Sequence, residues 1–142
     1  MTPNSGVVLE GFTELREALK KLPAELVHEG AEIVQAHAAE AFRLIAAGLA
    51  FKTGNLRDHL RLEITSDQGG TRAVIRNTAK HAWWNEHGTK PRRYATKSKK
   101  SIGAMPAHPV LIPIAIRQRR VMTEALIHMV ERAGFKVTGT GI

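Results

Sequence analysis

The apolar positions of this chain change rhythm along its length. After Gly11-Phe12-Thr13, Leu15, Ala18, Leu19 and Leu22 recur at three- and four-residue steps, predicting a short helix with Thr13 as its cap. Pro23 suits the first turn of a new helix better than the middle of an old one. From Ala24 to about Ala50 the chain is rich in Ala, Glu and Leu, and Leu26, Ile33, Ala41, Leu44, Ile45 and Leu49 trace one broad face. Glu25, Glu29, Glu32 and Glu40 fall largely elsewhere, so a long amphipathic helix is expected. Lys52-Thr53-Gly54-Asn55 ends it. The period then drops to two. Leu60, Leu62 and Ile64 alternate with Arg61, Glu63 and Thr65, as in a half-buried strand. Asp67-Gln68-Gly69-Gly70 supplies a turn, and Arg72–Arg76 reads as the returning strand of a hairpin.

Beyond the hairpin the pattern is broken. Ala79–His87 fits a short helix stopped by Gly88. Residues 88–105 show little periodicity and read as a long loop, which in a compact domain is usually functional or disordered. Pro106, Pro109 and Pro113 bracket an apolar stretch, and Gln118–Ala133 returns to helical spacing through Met122, Ala125, Leu126, Met129 and Ala133. The expected architecture is one α+β domain over residues 1–142. A long N-terminal amphipathic helix and a C-terminal helix pack on a small antiparallel sheet. A basic loop extends over 90–104 and a short tail follows from 134.

Charge sharpens this picture. The 142 residues carry 21 Lys and Arg against 13 Asp and Glu, for a formal charge of +8. Residues 1–51 hold four basic and seven acidic side chains, while residues 90–142 hold eleven and two. Lys90, Arg92, Arg93, Lys97, Lys99 and Lys100 fall in one acid-free run, and Arg117, Arg119 and Arg120 form a second knot. Such a field attracts phosphate or an acidic protein surface, unless it is simply a solvated loop and helix face. The absence of cysteine excludes a disulfide scaffold, a thiolate metal site and a cysteine nucleophile. The opening Met1–Gly6 has no signal-peptide character, and the apolar run Leu44–Phe51 is far short of the roughly 20 residues that span a bilayer.

No catalytic constellation emerges. His28, His37, His59, His81, His87, His108 and His128 show no zincin spacing, and only His81, Glu86, His87 and His108 suggest a ligand set at all. Ser5, Ser66, Ser98 and Ser101 sit in no nucleophile-elbow motif, and no phosphate-binding glycine loop is present. Neither an enzyme nor a resident cofactor is expected. Trp83 and Trp84 point about 100° apart if helical, so one is expected beneath the long helix and the other at the surface or against a neighbouring subunit. Tyr94 is the sole aromatic within the basic run, which disfavours sequence-specific nucleic-acid reading and leaves loose contact with a phosphate backbone open.

The order of the short motifs adds a resemblance. Lys52-Thr53-Gly54-Asn55-Leu56 follows the long helix, Ala82-Trp83-Trp84-Asn85-Glu86-His87-Gly88-Thr89 follows the hairpin, and Met105–Ala115 with Pro106, Pro109 and Pro113 precedes the last helix. Over residues 10–133 this arrangement resembles the tail-completion, or head–tail joining, proteins of long-tailed lambdoid-type phages, also described as minor tail components. Thr53, Gly54, Leu56, Glu86, Gly88, Pro109 and Pro113 carry the likeness. His87 stands where the family usually has an aromatic, Val110 where it has Phe, and Ile114 intrudes between Pro113 and Ala115. The resemblance implies a homo-oligomeric ring, a hexamer, in the virion neck, assembled in the host cytoplasm between a head-connector or stopper ring and the tail tube. It implies Trp83 and Trp84 at a subunit interface. The basic residues, with Tyr94, would face a neighbouring ring or the packaged DNA. The alternative is a non-specific nucleic-acid-binding protein using the same basic loop.

Overall fold

The computed structural model describes residues 23–49, 54–68, 70–93 and 101–138. The expected opening helix, Thr53, the stretch containing Tyr94, Lys97, Lys99 and Lys100, and the last residues of the tail lie outside them. Helix α1 runs Ala24–Gly48, with Pro23 at its N-cap, where a missing N–H costs nothing. Its inner face buries Ala38, Ala41 and Ile45, and Leu49 just beyond its end is buried too. Leu26, Ile33 and Leu44 are only half-buried, so the face is narrower than the sequence suggests. On its outer side Arg43 donates to both carboxylate oxygens of Glu40, and that hydrogen bonding holds the Glu40 carboxyl below its ordinary pKa.

Gly54, at φ 72°, opens the short helix α2, Asn55–Asp58, and turns buried Leu56 inward. Strands β1, Leu60–Asp67, and β2, Gly70–Asn77, form the expected antiparallel hairpin, with Leu60 opposite Asn77 and Asp67 opposite Gly70. Asn77 ties the open end of the hairpin to α2. Its side chain donates to the Leu56 carbonyl at 2.7 Å and accepts from the Ala79 amide at 3.0 Å. Helix α3, Ala82–His87, follows and stops at Gly88 as expected.

Two elements differ from expectation. The loop over 88–105 is not structureless throughout, because β3, Arg92–Arg93, pairs with β4, Ser101–Gly103, as a short antiparallel ladder with an irregular register. Helix α4 begins at Leu111 rather than Gln118 and runs to Arg132. Pro113 sits inside it without breaking it. In the first turn an N–H has no intrahelical acceptor, so proline removes nothing there.

The fold is α+β, with α1 as the shared layer. One side of α1 lies against the hairpin and another against α4. The core is gathered at one end of this layer, where Ile45, Leu49, Leu56, Leu60 and Ala79 meet Phe42, Ile75, Val110, Leu111 and Ile114. Met129 is buried near the far end of α4, alongside Gly30 of α1. Arg132 of α4 forms an ion pair with Glu29 there.

Candidate functional site

The motif residues come together around the start of α4. Glu86 projects from α3, and its Oε2 accepts the Val110 amide at 3.0 Å and the Leu111 amide at 3.2 Å. Its Oε1 accepts the Ile112 amide at 2.7 Å. Pro113 has no N–H to satisfy, and the Ile114 amide returns to the Val110 carbonyl at 3.4 Å. A single carboxylate and a proline thus account for every amide that the helix start leaves without a partner. The negative charge also sits at the favourable end of the helix dipole.

The chain on either side is zipped together. Buried Asn85 exchanges hydrogen bonds with His108: the His108 amide donates to the Asn85 carbonyl at 2.8 Å, and Asn85 Nδ2 donates to the His108 carbonyl at 3.3 Å. The Thr89 amide donates to the Met105 carbonyl, and the Met105 amide donates back to Thr89 Oγ1, both at 2.9 Å. Gly88 is held between them at φ 72°, where a Cβ would lie 2.7 Å from the Met105 carbonyl oxygen. Glycine at this position is required twice over, by backbone angle and by space. Glu86, Gly88 and Pro113 are therefore parts of one clasp. Pro109 lies within the segment it grips, and Gly54 and Leu56 belong to the adjoining core.

The tryptophans depart from expectation. Trp83 is 68% and Trp84 49% exposed, so neither packs beneath the long helix. Trp83 stacks on His87 with ring centroids 3.8 Å apart, one helical turn away. Turn spacing on a four-residue step makes this pair, a contact the sequence carries but that burial patterning does not reveal. Trp83 and His87 also line a hollow of about 220 Å³ shared with Leu49, Leu56, Leu111 and Ile112.

A larger groove of about 700 Å³ opens between β2 and α4. Its floor is Val34, Ala38 and Ala41 of α1, and its walls include Ala73 and Ile75 from β2 and Ala115 and Ile116 from α4. His37 and Gln118 approach across one side, with Nδ1 3.5 Å from Oε1. Leu111 and Ile112 line both hollows, so the apolar face is continuous from Trp83 to the hairpin. Ile112 and Ile116 were not singled out from the sequence. Extending the stripe of the last helix backwards through Gln118, Ala115, Ile114 and Leu111 would have revealed this start.

The cations divide between elements. Lys90, Arg92 and Arg93 are exposed at the base of the basic arm, and Arg117, Arg119 and Arg120 are exposed on α4. Arg119 shares the groove with Arg72 of β2, a residue the sequence did not mark out. The suggested ligand set does not converge. His81 Nε2 lies 3.3 Å from Asn55 Nδ2, His87 Nδ1 lies 3.1 Å from the Trp83 carbonyl, and Glu86 is engaged by amides. Among the described residues no group of three His, Asp or Glu side chains is placed to hold a metal ion, and no helix is long and apolar enough to cross a membrane. No family model, curated protein or solved structure matches this chain.

Proposed function

We propose that this chain is a structural subunit of a phage neck, forming a ring that completes or terminates the tail and joins it to the head connector around the DNA channel. The observation that carries the reading is the mismatch between core and surface. Among the described residues eight apolar residues are buried, and Ile45 is the single large side chain fully shielded from water. Against that stand exposed Trp83, Ile112 and Ile116 on one continuous face, and Trp84 is exposed as well. Contiguous apolar surface of this kind marks an interaction site, and tryptophan is concentrated at the centres of interfaces. The motif order described above supplies the phage assignment. The clasp supports it by giving the Glu-x-Gly-Thr and proline-rich motifs one joint task.

The reading is tested in an inducible genome that carries the coding sequence. Its removal should leave heads and tails as separate particles in electron micrographs, and joined infectious particles at unchanged yield would overturn it. Native mass spectrometry adds the stoichiometry, since six copies of a 15.6-kDa chain give about 94 kDa. The exposed Lys90, Arg92, Arg93, Arg117, Arg119 and Arg120 favour a second reading, non-specific nucleic-acid binding. It requires the monomer to bind duplex DNA with a steep salt dependence, and a monomer that ignores DNA at low salt would sink it.

A further inference from the structure

The apolar face of α1 extends further than the hairpin that covers it. Val34, Ala38, Ala41 and Ile45 all lie within about 40° of Val27 around the helix. Along this line cover is lost step by step: Ile45 is fully buried, Ala41 and Ala38 are buried, Val34 is half-buried and Val27 is 48% exposed. Helix α4 is not the reason. It runs antiparallel beside α1 for the whole distance, with Val110 against Gly48, Gln118 near His37 and Met129 against Gly30. The hairpin is the reason. From Ile75, packed on the core at Ile45, β2 runs back only to Gly70, five residues or about 17 Å. Val27 is 18 residues from Ile45, about 27 Å along the helix. The groove between β2 and α4 is therefore open at its far end, past Thr71, Val34 and Met122, and Val27 continues its floor beyond the opening.

The preceding chain joins α1 at this same end. Pro23 is extended, at φ −53° and ψ 144°, and a proline disfavours helical backbone at the residue before it. Leu22 and Pro23 thus make a short connection between two helices, and short connections join antiparallel neighbours. The expected opening helix has the matching face. Ala18, Leu19 and Leu22 lie within about 60° of Leu15, whereas Glu14, Arg16, Glu17, Lys20 and Lys21 all lie about 100° or more away from it. Its apolar stripe can therefore seat on Val27 without carrying a charge into the contact. The lengths agree as well. Phe12 to Leu22 and Pro23 to Val34 are ten and eleven steps, each about 15–17 Å of helix. A second copy would give up translational freedom to reach the same face, whereas this segment is tethered beside it.

We infer that the open end of the groove is filled by the chain's own opening helix, folded back antiparallel on α1. Leu19 lies over Val27, Leu15 follows one turn on, and Phe12, just ahead of the cap, meets Val34 and Met122. Ile112 and Ile116, further down α4, lie beyond its reach. The inference is independent of the ring reading, since it covers one end of the groove and leaves the rim near Trp83 exposed.

The chain contains no cysteine, so introduced thiols report without background. Full-length Phe12→Cys/Met122→Cys and Leu15→Cys/Met122→Cys, each first shown to melt cooperatively, are oxidised at micromolar concentration. Glu17→Cys/Met122→Cys, with its first thiol on the outer face, is the control. The expected product is a bond within one chain for at least one of the first two pairs, formed at least about tenfold faster than in the control. Bonds only between chains would give the groove to a second copy and overturn the inference. No bond in either pair, or bonding as fast in the control, would overturn it too. Separately, Leu19→Asp should speed amide exchange over residues 27–34 about tenfold, with no change in Glu17→Ala. Exchange unmoved by Leu19→Asp would equally overturn it.

Discussion

Two ends of the same layers are finished differently. At the end where α1 stops and α4 begins, Ile45, Leu49, Leu56 and Leu60 close on one another, and the clasp between Glu86 and residues 110–112 seals the margin. At the hairpin end the same rhythm continues uncovered. Along the inner face of β1, Leu60 is buried, Leu62 half-buried and Ile64 42% exposed. On α4, Leu111 is half-buried while Ile116 is 57% exposed. Periodicity says which side of an element is apolar. Whether that side is covered depends on what the rest of the chain, or another chain, lays over it. The closed end is what a small domain needs to fold, and the open end is apolar surface that the described residues leave in water, which is where the proposed ring would find its contacts.

The largest effect should come from emptying the closed end. Ile45→Ala removes a side chain that is fully buried among Leu49, Leu56 and Leu60. Loss of transfer energy plus the residual cavity should cost about 2–5 kcal/mol in urea unfolding. A smaller loss would mean that the open end carries more of the stability than its exposure suggests.

Next is Gly88→Ala, which tests the clasp through its backbone. The added Cβ meets the Met105 carbonyl oxygen and forces an alanine to hold φ 72°. The expected cost is about 1–3 kcal/mol in the same assay, since strain of this kind is held only by surrounding structure. Stability equal to the parent would show that residues 105–107 move aside freely, and the closed end would then be looser than its hydrogen bonds imply.

Glu86→Ala removes the carboxylate that holds the start of α4. The loss should be about 0.5–2 kcal/mol, the range for helix caps. Faster amide exchange should be confined to Val110, Leu111 and Ile112, the three donors that lose their acceptor. Glu86→Gln keeps one oxygen and should recover part of the protection.

These residues also show what the sequence made legible. The long helix, the hairpin with its Asp67–Gly70 closure, and the glycine stop at Gly88 follow from period and turn chemistry that act locally. The start of α4 does not. Three prolines in eight residues read as breakers, and Pro113 is harmless only because it occupies a turn whose amides are satisfied from elsewhere. The partner that satisfies them, Glu86, is 24 residues upstream of Val110, beyond any local pattern. The β3–β4 ladder was missed for the opposite reason, since two- and three-residue strands have no period to detect. The tryptophans were misread because helical geometry gives their directions but not what stands in those directions.

The smallest expected change in stability is at the open end, and it separates the two ends most cleanly. Ile116 is a large aliphatic residue on the same helix as the closed-end contacts of Leu111 and Ile114. A rule that ranked residues by type would place Ile116→Ser beside Ile45→Ala. Exposure predicts otherwise. Most of this side chain already meets water in the single copy, so unfolding midpoints should stay within about 0.5 kcal/mol of the parent. On the ring reading proposed above, association measured by sedimentation should instead fall, because the variant places a hydroxyl on the exposed apolar face. A variant that loses both would mean that Ile116 belongs to the core. A variant that loses neither would leave the groove with no part in assembly. Only loss of association at constant stability fits the proposal that this face is covered by a neighbouring subunit.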